Sequence, residues 1–217
     1  MTRRLMLAFA LLCAFSGTAH AQRSGDIAAR EAAVLAEMNR ARADPQGYAD
    51  VLREYRGYFR GDIFRLPGNP VGILTTEGVA AVDEAIAFLE RQEPLPPFEA
   101  SALLAGAADD HVAEQGPRGA LGHASRNGDR AGQRSQGRGG GRYVAEAISY
   151  GPSQGAEVVR QLIVDDGVPD RGHRTLIFTS EFTYAGVGCG DHARFDNMCV
   201  IDFGTTATGH YQVGASE

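Results

Sequence analysis

Apolar residues recur at helical spacing through most of this chain and gather into two short runs near its C-terminal end. Over 26–42, Ala29, Ala33, Val34, Met38 and Ala41 share one side of a predicted helix. It breaks at Asp44-Pro45, where Asp44 can cap a second helix with Pro45 at its first position, running through Tyr48, Leu52 and Tyr55. Glycines and prolines over 60–76 read as a surface loop. A third helix over 77–92 presents Val79, Val82, Ile86 and Leu89, and Pro94, Pro96 and Pro97 then force an extended connector. The next helix, 100–115, carries Leu103, Leu104, Ala107, Ala108 and His111 on one face, which makes His111 a packed histidine with a hydrogen-bond partner. A last helix over 153–164, capped by Ser153, buries Val158, Val159, Leu162 and Ile163. The runs 183–190 and 197–204 read as two strands joined at 191–196, followed by a small, polar, loosely ordered tail over 205–217.

The chemistry concentrates where the last helix ends. Asp165 and Asp166 sit in its final turn, just before Gly167, where the carbonyl end of a helix disfavours an anion by about 0.3–1 kcal/mol. Compensation has to come from Arg171, Arg174, His173 or a metal ion. Two arrangements are open: solvated aspartates with Arg171 as a surface partner, or Asp165 and His173 facing one cleft across the turn. Earlier in the chain, His123 is flanked by small residues and can approach a cleft closely, and Glu146 is the one carboxylate of an apolar segment, so it needs a partner such as a histidine or a metal. Glu157 has a sufficient structural reason to exist in the first turns of its helix, where the dipole favours negative charge.

Composition narrows the classes. The first 21 residues combine Arg3-Arg4, an apolar run and Ala19-His20-Ala21, the marks of a secretory signal cut before Gln22; the run is too short to span a bilayer comfortably. Cys13 within it follows Leu12, which argues against a lipid anchor. Without Arg3 and Arg4, 19 basic residues face 27 acidic ones and the formal charge moves from −6 to −8. Nucleic acid and anionic membranes are therefore poor partners. Cys189 and Cys199 remain, and outside the cell they pair, closing a loop that contributes about 3 kcal/mol; a metal or redox pair is the weaker alternative. The chain has no lysine, which excludes Walker-A, kinase, Schiff-base and S-x-x-K chemistry, and leaves Gly137–Gly141 as a mobile loop. No H-E-x-x-H stands at 109–115, and no G-x-S-x-G or catalytic cysteine appears.

Several segments resemble one family in the right order. NRARADPQGYA at 39–49, PLPPFEAS at 94–101, Gly122-His123 with Gly128, Val144-Ala145-Glu146-Ala147-Ile148, Gly172-His173-Arg174 before Leu176-Ile177-Phe178, Gly186-Val187-Gly188 and the closing Phe203-Gly204 are similar to bacterial secreted CAP-domain proteins. That superfamily also holds cysteine-rich secretory proteins, insect venom antigens and plant pathogenesis-related proteins. Ala145 and Ala147 replace the glycine and asparagine of its G-E-N segment, and Leu162 stands where many members have tryptophan. The resemblance implies an α+β fold, a three-layer α-β-α sandwich with a central antiparallel sheet. It divides the chain into a signal (1–21), N-terminal helices and connector (22–98), a CAP core (99–204) and a tail (205–217). It further implies a cleft where His123, Glu146, Asp165 and His173 meet, able to hold Zn2+ or another divalent cation. It implies a secreted or periplasmic monomer whose cleft takes a lipid, sterol, glycan or peptide. The alternative is a metal-dependent hydrolase, peptidase or esterase, with Glu146 or Asp165 activating water. Asp165, Asp166 and Glu157 compete for the place of the second acid.

Overall fold

Cys189 and Cys199 lie directly opposite one another on adjacent antiparallel strands and are joined by a disulfide, with their Cα atoms 4.1 Å apart. The computed structural model containing them describes the backbone of residues 3–65, 68 and 71–212, and side chains from Gln22 onward except Arg23. The expected leader at 1–21 lies outside the described side chains, and the last five residues of the tail lie outside the description.

The elements run α1 (Arg3–Ala43), α2 (Pro45–Arg56), β1 (Phe59–Arg60), β2 (Ile63–Phe64), β3 (Ile73–Leu74), α3 (Val79–Leu89), β4 (Glu99–Ala100), α4 (Ala102–Gln115), a 3-10 turn (Gly116–Arg118), α5 (Ala131–Gly137), β5 (Val144–Tyr150), α6 (Gly155–Val164), α7 (Gly172–Ile177), β6 (Tyr184–His192) and β7 (Asp196–Gly204). The break at 44–45 is as the caps require: Asp44 accepts from Gly47 N at 2.9 Å. Ser101 likewise caps α4 by accepting from Leu104 N. The 60–76 segment is not a plain loop, because β1, β2 and β3 form a small antiparallel meander in it. Tyr55, Phe59 and Phe64 cluster beneath that meander, with ring centroids 4.7–5.4 Å apart.

The main sheet has the order β4-β6-β7-β5. Its three long strands are antiparallel, as expected, whereas β4 pairs parallel to β6. Alternation along β7 separates two layers. Cys199, Ile201 and Phe203 face the large core built with α1, α2, α3 and α6, while Met198 and Val200 face Ala108 and Val112 of α4. The helices before residue 99 and the strands after it share that one core. Glycines on β6 let α4 lie close, since a Cβ at Gly186 would meet Ala105 N at 2.0 Å.

The Gly-rich run is not a free loop. Ala131–Gly137 is helical, and Gly141 N donates to Thr208 O at 2.8 Å. A Cβ at Gly141 would meet Gly209 O at 2.2 Å, so these glycines are needed where two backbone segments touch. The beginning of the tail is correspondingly tied down rather than loose. Among the described residues no helix is long and apolar enough to cross a membrane.

Candidate functional site

The carbonyl end of α6 settles its electrostatics with arginines. The helix ends at Val164, earlier than the glycine pattern implies, and Asp165 itself takes the left-handed conformation (φ 58, ψ 40) that Gly167 was expected to supply. Asp is among the few residues that adopt it at low cost. Arg174, 3 % exposed, donates to Ile163 O at 2.6 Å and Val164 O at 3.1 Å. Arg171 donates to Asp165 O at 2.9 Å and forms ion pairs with Glu77 and Glu84; its hydrogen bonds to Glu77, with that from Gly167 N, hold the Glu77 carboxyl down at about 2. The carboxylate of Asp165 is thereby free to serve the next helix. It accepts from His173 N at 2.9 Å and Arg174 N at 3.3 Å at the start of α7, and from His173 Nδ1 at 2.6 Å. A single aspartate ends one helix, begins another and orients the histidine.

Its rivals are placed elsewhere. Asp166 turns away and accepts from Thr76 N and Glu77 N, both at 2.7 Å, fastening the meander to the α6–α7 turn. Glu157 lines the cleft described below from α6.

The second pair is built from β5 and the 123–129 loop. Glu146 is on β5 and accepts from His123 Nδ1 at 2.8 Å; its other oxygen takes Arg134 Nη2. Arg134, from the short helix α5 that the periodicity did not disclose, also donates to His123 O at 3.2 Å and Asp129 O at 3.1 Å, so one buried guanidinium folds the 123–129 loop. The same loop is held from beneath: His111 Nε2 and Gln115 Nε2 both donate to Gly122 O, at 3.0 and 2.7 Å. His111 is fully buried and bonded, and its burial lowers its proton affinity, in keeping with a packing role. The signal that could have found Arg134 was the need of an apolar segment's one carboxylate for a cation.

The four expected residues therefore stand as two carboxylate–imidazole pairs, His123–Glu146 and His173–Asp165. In both, a carboxylate fixes the proton on Nδ1 and leaves Nε2 as the accepting nitrogen. Among the described residues, no three His, Cys, Asp or Glu side chains group closely enough to hold one metal ion. Each acid is already taken up by its own histidine and by neighbouring donors, which leaves the two Nε2 atoms as the open nitrogens of the four residues.

Beside the His173–Asp165 pair opens a cleft of about 730 Å³, walled by α6, the meander and the end of β5. Its lining is largely apolar, with Phe64, Ile73, Ile148 and Val168, and its polar groups include Asp165, His173 and Arg160. The volume falls in the range of small-ligand pockets. Ile73 and Leu74 are 59 % and 77 % exposed on its lip.

One further acid is remarkable only for its isolation. Asp202 on β7 faces Glu146 across the strand pair, is fully buried, and neither carboxyl oxygen has a hydrogen-bond partner among the described residues. Burial first, and then the charge of Glu146, push its pKa well above the ordinary value, with Arg134 opposing. An acid whose folded pKa is raised contributes stability below its unfolded pKa of about 4 and loses that contribution as pH rises. Asp202→Asn should therefore match the wild type in Tm near pH 4 and exceed it increasingly towards pH 8, by at most about 1.4 kcal/mol per pH unit. Thermal melts across that range check this; parallel curves would place a stable carboxylate at 202.

Comparison with known proteins bears on what this arrangement is. The model of the cysteine-rich secretory protein (CAP) family matches residues 35–203. No curated protein matches the chain. Among solved structures, an extracellular protein containing an SCP domain from Bacillus anthracis str. Ames is similar at 20 % identity and a TM-score of 0.42, covering 58 % of this chain and 37 % of that one. The chain thus corresponds to well under half of that protein's length.

Proposed function

Since the chain belongs to the cysteine-rich secretory protein (CAP) family, we propose that it is a secreted binding module whose ligand lies in the cleft between α6, the meander and β5. The observation that carries this reading is the cleft itself: about 730 Å³, mostly apolar walls, and polar groups that include an oriented imidazole, an arginine and the carboxylates of Glu157, Asp165, Asp166 and Asp196. That combination suits a ligand with apolar parts and a polar end, drawn from lipids, sterols, glycans or peptides. The disulfide fits an oxidising compartment.

Binding is supported over hydrolysis by the state of the two acids. Both oxygens of Glu146 and both of Asp165 accept from protein donors, so neither is poised to take a proton from water. Titration of the protein with laurate, a sterol, a chitin trimer and a heptapeptide, followed through amide chemical shifts, tests the cleft. Shifts should centre on Ile148, Val164, Val168 and His173. Binding that moves none of these, or no binding by any of the four, counts against it.

A divalent cation, if the protein carries one, would be held by the Nε2 atoms of His123 and His173, with Glu146 and Asp165 orienting the rings from behind. Such an ion would supply Lewis acidity to a polar ligand group. Calorimetry with zinc is expected to show a site weakened at least tenfold in His173→Ala. Equal heats in wild type and variant would remove the cation from the proposal.

A further inference from the structure

β5 is the last strand in its sheet and pairs only with β7. Gly151 N donates to Asn197 O at 2.9 Å, in register with that pairing. Main-chain bonding alternates along an antiparallel pair, so residues 149, 147 and 145 also turn towards β7. Glu146, Ile148 and Tyr150 then direct their N–H and C=O groups to the open side. There the Tyr150 carbonyl is taken by Gln161 Nε2 at 3.2 Å. The N–H and C=O of Ile148 and the N–H of Tyr150 meet no protein partner on that side among the described residues.

This open edge is not at the surface. Ile148 is 6 % exposed, and Ile148, Tyr150 and Gly151 line the cleft. Unpaired main-chain groups in a largely apolar recess are costly unless something bonds to them. A cation stands in the same recess: Arg160 lies over the Tyr55 ring, 4.5 Å from its centroid, and pairs with no carboxylate among the described residues. Arg160 and Tyr150 line the same cleft, and Gln161, next to Arg160 in the chain, is the residue bonded to the Tyr150 carbonyl.

Resting on the cleft reading above, we propose that the occupant is an extended peptide segment, laid along β5 as an added strand. One peptide residue exchanges two hydrogen bonds with Ile148, the next in register accepts from Tyr150 N–H, apolar side chains enter between Phe64 and Ile73, and a carboxylate meets Arg160. Main-chain pairing supplies donors and acceptors at the strand's own spacing. A fatty acid or sterol has no such series, and a glycan would leave the apolar walls unfilled.

The probe is a synthetic library of random heptapeptides with free C-terminal carboxylates, screened against the full chain. The best binder is then remade as its C-terminal amide and with alternate amides N-methylated. The expected result is an enriched apolar sequence, loss of binding on N-methylation, and slowed hydrogen exchange at the Ile148 and Tyr150 amides when the peptide is present. Arg160→Gln should weaken binding about tenfold. If the amidated peptide binds as well as the acid, and only Asp- or Glu-containing sequences respond to Arg160→Gln, the carboxylate is a side chain; if amidation abolishes the effect of Arg160→Gln, it is the terminus. Peptides that fail to enrich, or that bind equally after N-methylation, overturn the proposal. Laurate shifting His173 and Val168 without protecting the Ile148 amide would overturn the peptide while leaving the cleft as a binding site.

Discussion

Glu146→Ala is expected to destabilise the protein by about 3–5 kcal/mol, the usual cost of leaving one member of a buried ion pair alone. Glu146 and Arg134 have side chains only 4 % and 5 % exposed, so the guanidinium has no water to turn to. The loss extends beyond the pair, since Arg134 organises the loop carrying His123 through two carbonyls of that loop. Urea unfolding would give the number, and Glu146→Gln should lose much less, because it keeps an acceptor for Arg134. Asp202 provides an internal check. With Glu146 gone, the charge that helps keep Asp202 neutral is removed and Arg134 is left to favour its ionisation. Asp202 should then take over part of the pairing, so Asp202→Asn, harmless alone at neutral pH, is expected to be damaging in the Glu146→Ala background. Additive effects would mean that the two acids do not sense each other across the strands.

Asp165→Ala ranks second, at about 2–4 kcal/mol, from the loss of charged hydrogen bonds and of the cap on α7. Asp165 is 3 % exposed and holds three donors with two oxygens. Part of the cost is conformational, because alanine is disfavoured at φ 58. Three variants separate the contributions. Asp165→Gly relieves the backbone but not the carboxylate, Asp165→Asn keeps the backbone and an accepting oxygen, and Asp165→Ala loses both. Asn should be mildest and Ala worst. The His173 ring should lose its fixed orientation in Ala and Gly, visible as averaged imidazole signals in NMR. A ring that stays ordered in both would assign its position to packing alone.

Much of the architecture was legible because it is written in local terms. Asp44-Pro45 announces a helix start through a side chain that bonds within three residues, and the 3.6-residue stripes of α1, α3 and α6 need no knowledge of their partners, whereas Ser153 does not cap α6, which starts at Gly155 without a side-chain cap. The family motifs marked His123, Glu146, Asp165 and His173 before any contact was known. Less was readable where elements are short. The two-residue strands of the meander carry no period, and α5, seven residues of small and polar character, resembles a loop.

What the sequence by itself determined is the order of the longer helices, the disulfide-competent hairpin that follows them and the identity of the polar residues, since each follows from neighbours along the chain. The tertiary structure alone decided the pairings. It joined Glu146 to Arg134 as well as His123, set Asp165 against α7 rather than towards a shared ion, and turned Asp166 to the meander. It also left β5 with an open edge inside a cleft. The physical reason is that a buried charge takes whichever donor the packing brings within about 3 Å, and that distance is set by the layers, not by spacing in sequence.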